Sequence, residues 1–317
     1  MDMYQKRKKR QEMKNNENKE KIQSQMNINW YPGHMAKTKR QIIEDLKLVD
    51  LVVEVLDARI PISSQNPDIQ EYIKNKNKIE VLNKADLADD TQTANWVKYF
   101  EKNNIPAVIT DSNSGKGIRE VIKKIHTVSA ETKEKSAQKG RAGRSIRVLV
   151  LGIPNVGKSS FINRIAKKTS AEVGNKPGVT KQKQWIRINE KIELLDTPGV
   201  LWPKFENEKV AMNLAITGTI KDDILELTEV AYTLTKFMLE NYRNNLLQRY
   251  SLDEKQINEI LNQEQAENEN IYEIMQLIGK KRGAILGGRV DDERTSKLIL
   301  DDFRSSKLGK ITLEIPE

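Results

Sequence analysis

The chain has 317 residues, of which 37% are hydrophobic and 31% are charged, so it is long enough to bury a full core and polar enough to stay in solution. It has no cysteine and only two histidines, which excludes a disulfide framework, thiol chemistry and a cysteine–histidine zinc site. No apolar run reaches membrane-spanning length, and the basic N-terminus lacks the apolar core of a signal peptide. We therefore expect a cytoplasmic protein with no membrane contact.

The net charge of +9 is concentrated in three stretches. Residues 1–25, 130–145 and 280–310 carry +4, +3 and +4, so the rest of the chain is close to neutral. A nearly neutral body with basic ends and a basic internal linker favours an anionic polymer as partner, most simply a nucleic acid. Solvated lysines in a chain rich in Lys and Asn would give the same balance.

The N-terminal part of the chain predicts a tail followed by an α/β domain. Residues 1–26 are polar, charged and aperiodic, and we expect them to be a disordered basic tail. Four β-branched runs, separated by helical patterns, predict a parallel sheet with strands over residues 51–56, 79–82, 107–109 and 146–151. The α/β domain is expected to cover residues 27–205.

The C-terminal part, residues 206–317, predicts an all-helical domain, because its apolar residues recur at helical spacing. Ser251-Leu252-Asp253-Glu254 has the form of a capping box and predicts a helix start at Ser251. A last helix is expected over about residues 291–307. No internal repeat is visible in the sequence.

Residues 152–159, Gly-Ile-Pro-Asn-Val-Gly-Lys-Ser, match the phosphate-binding loop G-x-x-x-x-G-K-S/T, with a predicted strand before the loop and a helix after it. Main-chain amides and the helix dipole direct positive charge at phosphates in such a loop. We expect Lys158 to reach the β- and γ-phosphates and the Ser159 hydroxyl to bind Mg²⁺. The other predicted contacts of this loop with the nucleotide are Asn155, Val156, Gly157 and Ser160.

Asn83-Lys84-Ala85-Asp86 follows a predicted strand and matches the guanine-specifying pattern N-K-x-D. The Asp86 carboxylate can accept hydrogen bonds from both N1–H and the 2-amino group of guanine, whereas adenine offers no such pair. A site built on such bonds discriminates by roughly 10⁴-fold or more against a base that lacks these N–H groups. Asp111 and Ser112 resemble the loop that supports the base, although a plain turn explains them nearly as well. Together with the phosphate loop, these residues predict a GTP/GDP site.

Asp196-Thr197-Pro198-Gly199 fits the D-x-x-G switch of GTP-binding proteins. We expect Asp196 to hold Mg²⁺ through water and the Gly199 amide to sense the γ-phosphate. Thr180 lies between the phosphate loop and this motif, and we predict that its hydroxyl completes the Mg²⁺ shell.

The motifs occur in circularly permuted order. Ordinary GTPases run from the phosphate loop through the switches to N-K-x-D and the base loop, but here N-K-x-D and the base loop come first. Permutation keeps the same sheet if the original termini are joined and new ones are opened at a surface, and residues 130–145 are the expected join. The fold class predicted is a circularly permuted P-loop GTPase domain, followed by a helical domain that continues directly from the γ-phosphate-sensing segment.

This motif set resembles the ribosome-biogenesis GTPase A (YlqF-type) family over about residues 27–317. The resemblance is carried by residues 30–35 (Trp-Tyr-Pro-Gly-His-Met), 57–61 (Asp-Ala-Arg-Ile-Pro), the three nucleotide motifs and residues 287–291 (Gly-Gly-Arg-Val-Asp). It implies a bacterial GTPase that acts late in assembly of the large (50S) ribosomal subunit. In that family the subunit stimulates hydrolysis and the helical domain helps to bind ribosomal RNA. We expect a monomer away from the ribosome.

Two further residues bear on hydrolysis. Val200 stands where many GTPases have a Gln that orients the attacking water, so another group must do this or intrinsic hydrolysis must be slow. His34 is the candidate, because an imidazole can accept from water at neutral pH and the resemblance implies that role; the alternative is that it stacks on RNA or caps the next helix. Asn155 is a candidate for binding K⁺, with simple bracing of the loop as the alternative.

Other functions remain open at this point. One alternative is an RNA-binding chaperone in which GTP gates affinity and hydrolysis is incidental. Another is a different ribosome- or tRNA-associated GTPase. A P-loop ATPase is disfavoured, because Asp86 would have no purpose with adenine.

Overall fold

A computed structural model describes residues 33–130, 144–169, 184–202, 207–263 and 267–316. Several sequence-based expectations lie outside the described residues. These are the disordered tail over residues 1–26, nearly all of the 130–145 linker and the switch residue Thr180. No helix within the described ranges is both long enough and apolar enough to cross a lipid bilayer.

One six-stranded sheet forms the core of the first 200 residues, with the strand order β3-β2-β1-β4-β6-β5. The strands are β1 (Leu51–Asp57), β2 (Lys78–Asn83), β3 (Ala107–Ile109), β4 (Ile146–Leu151), β5 (Gln184–Asn189) and β6 (Ile192–Asp196). All neighbours are parallel except β5, which pairs with β6 in antiparallel orientation. Every residue of β1 is buried, as expected for a central parallel strand that is covered on both faces.

Helices cover the sheet and make up nearly all of the C-terminal part. Those before residue 205 are α1 (Gly33–Asp45), α2 (Pro67–Ile73), α3 (Asp90–Lys102), α4 (Ile118–Val128) and α5 (Lys158–Thr169). Those after it are α6 (Glu208–Ile216), α7 (Leu227–Asn241), α8 (Arg243–Tyr250), α9 (Glu254–Leu261), α10 (Glu267–Lys281) and α11 (Asp292–Arg304). A short hairpin, β7 (Ile285–Leu286) with β8 (Arg289–Val290), interrupts the helices.

The sheet winds in opposite directions from its centre. Strands β2 and β3 are added on one side of β1, whereas β4 and β6 are added on the other. The direction therefore reverses between β1 and β4, and in open α/β sheets ligands bind outside the carboxyl ends of the strands at such a point. Here β1 ends at Asp57, and β4 ends at Leu151, directly before the phosphate-loop sequence.

The C-terminal helices pack onto the sheet domain through a continuous hydrophobic core. One cluster of buried side chains includes Val53 of β1, Leu194 of β6, Leu234 of α7 and Phe303 of α11. Helix α11 packs against α7 and α10. The predicted fold class is confirmed, with a helical C-terminal part that contains one small hairpin.

Two local expectations need correction. The predicted parallel sheet contains one antiparallel strand, β5, because only two residues separate it from β6 and a parallel crossover needs a dozen or more. The capping box is shifted: the N-cap of α9 is Asp253, whose side chain accepts from the Lys255 amide. Ser251 has a left-handed conformation and ends α8 instead.

Two buried glutamates face each other inside the sheet. Glu54 of β1 lies in register with Glu80 of β2. The Gln70 amide donates to both Glu54 oxygens, at 2.8 and 2.6 Å, and Lys78 Nζ lies 2.8 Å from Glu80 Oε1. Burial raises the pKa of Glu54 well above its usual value, and repulsion by Glu80 raises it further. Burial also raises the pKa of Glu80, so the pair retains a proton at a pH where exposed carboxyls are ionised.

Glu54→Gln is expected to flatten the pH dependence of stability. The pKa of Glu54 is higher in the folded state than in the unfolded state, so folding takes up a proton. The free energy of unfolding therefore falls as the pH rises above the pKa that Glu54 has in the unfolded state. The loss can reach about 1.4 kcal/mol per pH unit for one proton. Urea denaturation between pH 5 and 8 measures the slope. The exposed Glu71→Gln on α2 is the control and keeps the wild-type slope; an unchanged slope in Glu54→Gln contradicts the prediction.

Candidate active site

The phosphate-loop sequence connects the end of β4 to the start of α5 and lies at the reversal point of the sheet. Gly157 has φ +88°, and a Cβ placed there would lie 2.4 Å from Asn83 Nδ2. Only glycine fits this conformation and this close approach. Asn155 has φ +65°, in the left-handed region that Asn tolerates better than most residues. The local sequence therefore forces the chain into a tight loop that opens directly into a helix.

Asn83, the last residue of β2, joins two loops through its buried side-chain amide. Its Nδ2 donates to the Val156 carbonyl in the phosphate loop at 2.9 Å. Its Oδ1 accepts from Thr110 Oγ1 at 3.1 Å and from Ser112 Oγ at 2.7 Å in the predicted base loop. Asn83, which the sequence predicts to contact the nucleotide, thus fixes the phosphate loop and the base loop relative to each other.

The predicted base loop is held from the phosphate side as well. Arg164, on the helix that follows the phosphate loop, donates from Nε to the Ser112 carbonyl at 3.0 Å. Asp111 Oδ1 accepts from the Asn113 amide at 2.8 Å and the Ser114 amide at 3.3 Å, which builds the turn itself. Asp111 therefore has the turn-forming role that the sequence left open as an alternative to base support.

Asp86 is the last residue of the N-K-x-D motif and lies three residues after the end of β2. Its Oδ1 is buried and has no hydrogen-bond partner within the described ranges. Burial raises the pKa of Asp86, and the nearby negative charge of Asp111 raises it further. A buried acceptor without a donor is costly, so this oxygen suits a ligand that supplies N–H groups. The N1–H and 2-amino groups of guanine are such donors, and Asp86 therefore fits the predicted base.

Lys84 is fixed by an ion-pair cluster at the end of β1 that sequence motifs did not reveal. Its Nζ lies 2.9 Å from Asp57 Oδ2, and Arg59 binds the same carboxylate with Nε and an NH2 group at 3.0 and 2.8 Å. Burial alone would raise the pKa of Asp57, but the two cations hold it well below its usual range. Asp57 thus orients both cations and ties N-K-x-D to the loop after β1.

Lys158 and Asp196 lie together at the phosphate end of the site. Lys158 Nζ is 2.6 Å from Asp196 Oδ1 and also contacts the Thr197 carbonyl. This pair sets the first residue of α5 against the end of β6, so Ser159 and Asp196 lie at the same edge of the sheet. Hydroxyl and carboxylate oxygens are ligands that Mg²⁺ prefers. Within the described part of the chain, no group of three or more acidic, His or Cys side chains forms a metal site.

The D-x-x-G segment lies directly on the phosphate loop. A Cβ at Gly199 would lie 2.9 Å from the Pro154 main-chain nitrogen and 3.1 Å from the Ile153 carbonyl carbon, so no side chain fits there. Val200 is only 4% exposed, and Asn66 Nδ2 donates to its carbonyl at 2.9 Å. Val200 belongs to a hydrophobic cluster with Ile42 of α1. A buried aliphatic side chain cannot orient a water molecule at the γ-phosphate.

Two further predicted residues, His34 and Thr180, concern catalysis and the first switch. His34 is in the first turn of α1, but its side chain lies outside the described part of the structure. Thr180 lies outside the described residues altogether. The cluster of Ile42, Leu46 and Val200 does connect α1 to the D-x-x-G segment.

Asn155 makes a contact that the sequence did not predict. Its Nδ2 donates to the Gly218 carbonyl at 2.9 Å, directly after α6. The same turn is held by Arg304 of α11, which donates to the Ala215 and Ile216 carbonyls at 2.8 and 3.0 Å. The phosphate loop therefore contacts the helical part of the chain.

The predicted site residues form two groups at the carboxyl edge of the sheet. The phosphate group consists of Asn155, Val156, Gly157, Lys158, Ser159, Ser160, Asp196 and Gly199. The base group consists of Asn83, Lys84, Ala85, Asp86, Asp111 and Ser112. The Ala85 amide donates to the Thr110 carbonyl at 3.1 Å, which keeps the base group together.

Comparison with known proteins identifies the family of the chain. Residues 147–275 match the family model described as "50S ribosome-binding GTPase". A relative from Bacillus cereus named ribosome biogenesis GTPase A is 46% identical over 293 residues, which cover 92% of this chain and 95% of the relative. The chain belongs to the ribosome biogenesis GTPase A family. It is a GTPase that binds guanine nucleotides and takes part in ribosome biogenesis.

More distant members of this family agree. The Thermotoga maritima ribosome biogenesis GTPase A is 31% identical over 294 residues, which cover 92% of this chain and 95% of that protein. The solved GDP-bound YlqF has a TM-score of 0.63 at 26% identity and covers 87% of this chain and 99% of its own. GNP-bound YlqF from T. maritima has a TM-score of 0.60 at 27% identity and covers 89% and 99%.

Proposed function

We propose that this GTPase is an assembly factor for the large (50S) ribosomal subunit. In its GTP-bound form it binds immature particles through their ribosomal RNA, and the particle then stimulates hydrolysis. It works in the cytoplasm and is a monomer away from the ribosome. The observation that carries the proposal is Val200, which is packed into a hydrophobic cluster at the position where a water-orienting side chain is needed. Efficient hydrolysis must therefore wait for a partner.

Within the site, each end of the crevice has its own task. Asp86 selects guanine, with Asn83, Lys84, Ala85, Asp111 and Ser112 holding the base loop around it. Lys158 and the loop amides of residues 155–160 bind the phosphates, and the Gly199 amide senses the γ-phosphate. Ser159, Thr180 and Asp196 would hold Mg²⁺, which neutralises charge on the phosphate oxygens. The fit of Ser159 and Asp196 to this ion rests on their shared edge of the sheet.

We expect K⁺ to accelerate hydrolysis through Asn155. Its Nδ2 is engaged by the Gly218 carbonyl, which orients the side-chain amide and leaves Oδ1 as a ligand for a cation near the phosphates. Such a cation supplies positive charge where other GTPases use an arginine. GTP hydrolysis measured in K⁺ and in Na⁺ at equal ionic strength is expected to be faster in K⁺. Asn155→Ala is expected to lose this difference, and equal wild-type rates in both salts would exclude the cation role.

The RNA-binding surface is proposed at the end of the helical part. Arg289 of the hairpin and Arg294 and Lys297 of α11 are exposed, and the last two lie three residues apart on one helix face. Basic side chains with this exposure suit phosphate contacts that position the protein without reading bases. Arg304, by contrast, is committed to Asp222, with NH1 and NH2 at 2.8 and 2.9 Å from its carboxylate oxygens. Arg304 therefore has a structural role and is not part of the proposed RNA-binding surface.

Co-sedimentation with purified ribosomal subunits tests the proposal. The protein is expected to sediment with immature large subunits when loaded with a non-hydrolysable GTP analogue and to remain in the supernatant with GDP, because the nucleotide state sets the switch that carries the helical part. Small subunits are the matched control. Equal binding to both subunits, or no binding to either subunit, would contradict the proposal. Light scattering without subunits checks the monomer, and a dimer mass would contradict it.

His34→Ala is expected to bind GTP and large subunits normally but to lose subunit-stimulated turnover by about 10²- to 10⁴-fold, the usual contribution of a positioned base. His126→Ala is the matched control, since the chain has two histidines and His126 is in the last turn of α4, away from the predicted motifs. Multiple-turnover assays with saturating subunits give the rates. Normal stimulated turnover in His34→Ala would favour the alternative, a GTP-gated RNA chaperone.

A further inference from the structure

The chain after α11 returns to the sheet domain and crosses behind the guanine-specifying loop. We call residues 310–316 the C-terminal brace. Its residue Glu314 is buried and receives donors on both carboxylate oxygens: the Ile62 amide at 2.7 Å, the Ser63 amide at 3.0 Å and Asn213 Nδ2 at 3.1 Å. The Trp96 indole donates to the Glu314 carbonyl at 2.8 Å. All these partners are donors, so the side chain must be an acceptor on both oxygens.

The brace contacts the main chain directly after Asp86, the specificity residue of the N-K-x-D motif. The Ile311 amide donates to the Leu87 carbonyl at 3.1 Å, and the Asp89 amide donates to Thr312 Oγ1 at 3.1 Å. Leu87 directly follows Asp86 in the chain. The main chain that carries the guanine-binding carboxylate is therefore held by hydrogen bonds from the brace.

A second path from the brace leads to the other end of the same motif. The Leu313 amide donates to the Arg59 carbonyl at 2.8 Å. Arg59 binds Asp57, and Asp57 in turn holds Lys84 of the N-K-x-D motif at 2.9 Å. The brace thus fixes the positions before and after Asp86 at once.

The brace is anchored in the helical part. The Tyr242 hydroxyl, at the junction of α7 and α8, lies 3.3 Å from the Thr312 amide and 3.4 Å from its carbonyl. The Phe303 ring of α11 lies 5.2 Å from the Arg59 guanidinium carbon. Asn213 of α6 donates to Glu314. Movement of the helical part is therefore transmitted to the loop that carries Asp86.

We propose that Thr312 and Glu314 are positioning residues for guanine recognition, so that selectivity for the base depends on the attachment of the helical part to the sheet domain. This rests on the proposed assignment of Asp86 to the base. Glu314→Gln turns an amide group against donors that need an acceptor, and Thr312→Val removes the acceptor for the Asp89 amide with almost no change of shape. Either change frees the loop and displaces the Asp86 carboxylate from its ligand.

The affinity ratio of GDP to inosine diphosphate measures this displacement. Inosine diphosphate lacks the 2-amino group, so it forms one hydrogen bond fewer with Asp86 while its phosphates bind identically. General destabilisation lowers both affinities alike and leaves the ratio unchanged. Isothermal titration of the full-length protein, well below its melting temperature, gives both dissociation constants. Both brace variants are expected to lower the ratio by about tenfold, the effect of misplacing one strong hydrogen bond.

Two comparison variants make every outcome decisive. Ile315→Ala changes a side chain of the brace that is 51% exposed and is expected to keep the wild-type ratio. Asp86→Ala must lower the ratio, and if it does not, the proposed base site itself is wrong. If Asp86→Ala lowers the ratio but Thr312→Val and Glu314→Gln keep the wild-type value, the brace has no positioning role. Equal loss of both affinities in the brace variants overturns the inference as well.

Discussion

The side-chain amide of Asn83 is the contact on which the active-site geometry depends. Its Nδ2 donates to the Val156 carbonyl of the phosphate loop, and its Oδ1 accepts from the hydroxyls of Thr110 and Ser112. A Cβ at position 157 would lie 2.4 Å from Asn83 Nδ2, so this contact requires glycine there. In a permuted chain the base motifs precede the phosphate loop, so this contact must be made across 73 residues. The contact thus holds together two loops that the permuted chain supplies from distant segments.

The parts that sequence predicted well are those in which neighbouring residues act together. The phosphate loop, N-K-x-D and D-x-x-G each lie within a few residues, so their spacing already encodes their chemistry. The Glu314 contacts join residues 251 apart, and no pattern of spacing marks such a pair. The prediction of an all-parallel sheet could have been avoided, because the two residues between β5 and β6 permit only an antiparallel turn. Ser251 was displaced as a helix cap because it already ends the preceding helix.

The hydrophobic character of the switch links hydrolysis to packing. Val200 shares a buried cluster with Ile42 of α1, the helix whose first turn carries His34, and with Leu46 directly after that helix. Movement of Gly199 towards a γ-phosphate would pull on this cluster, because close-packed interiors transmit displacement instead of absorbing it. Val200 cannot orient water itself. It is thereby placed where it can shift α1, the helix whose His34 is proposed to orient the water.

The helical part contacts both ends of the nucleotide crevice, through Asn155 at the phosphate loop and through the C-terminal brace at the base loop. Coupling between two binding sites is reciprocal, so a guanine nucleotide that orders these loops must stabilise the docked helical part by the same factor by which docking favours the nucleotide. An RNA surface that binds Arg289, Arg294 and Lys297 and shifts the helical part would therefore change nucleotide affinity without touching the nucleotide. The permuted order strengthens this coupling, since the helical part continues directly from the D-x-x-G segment and its far end returns to the guanine loop.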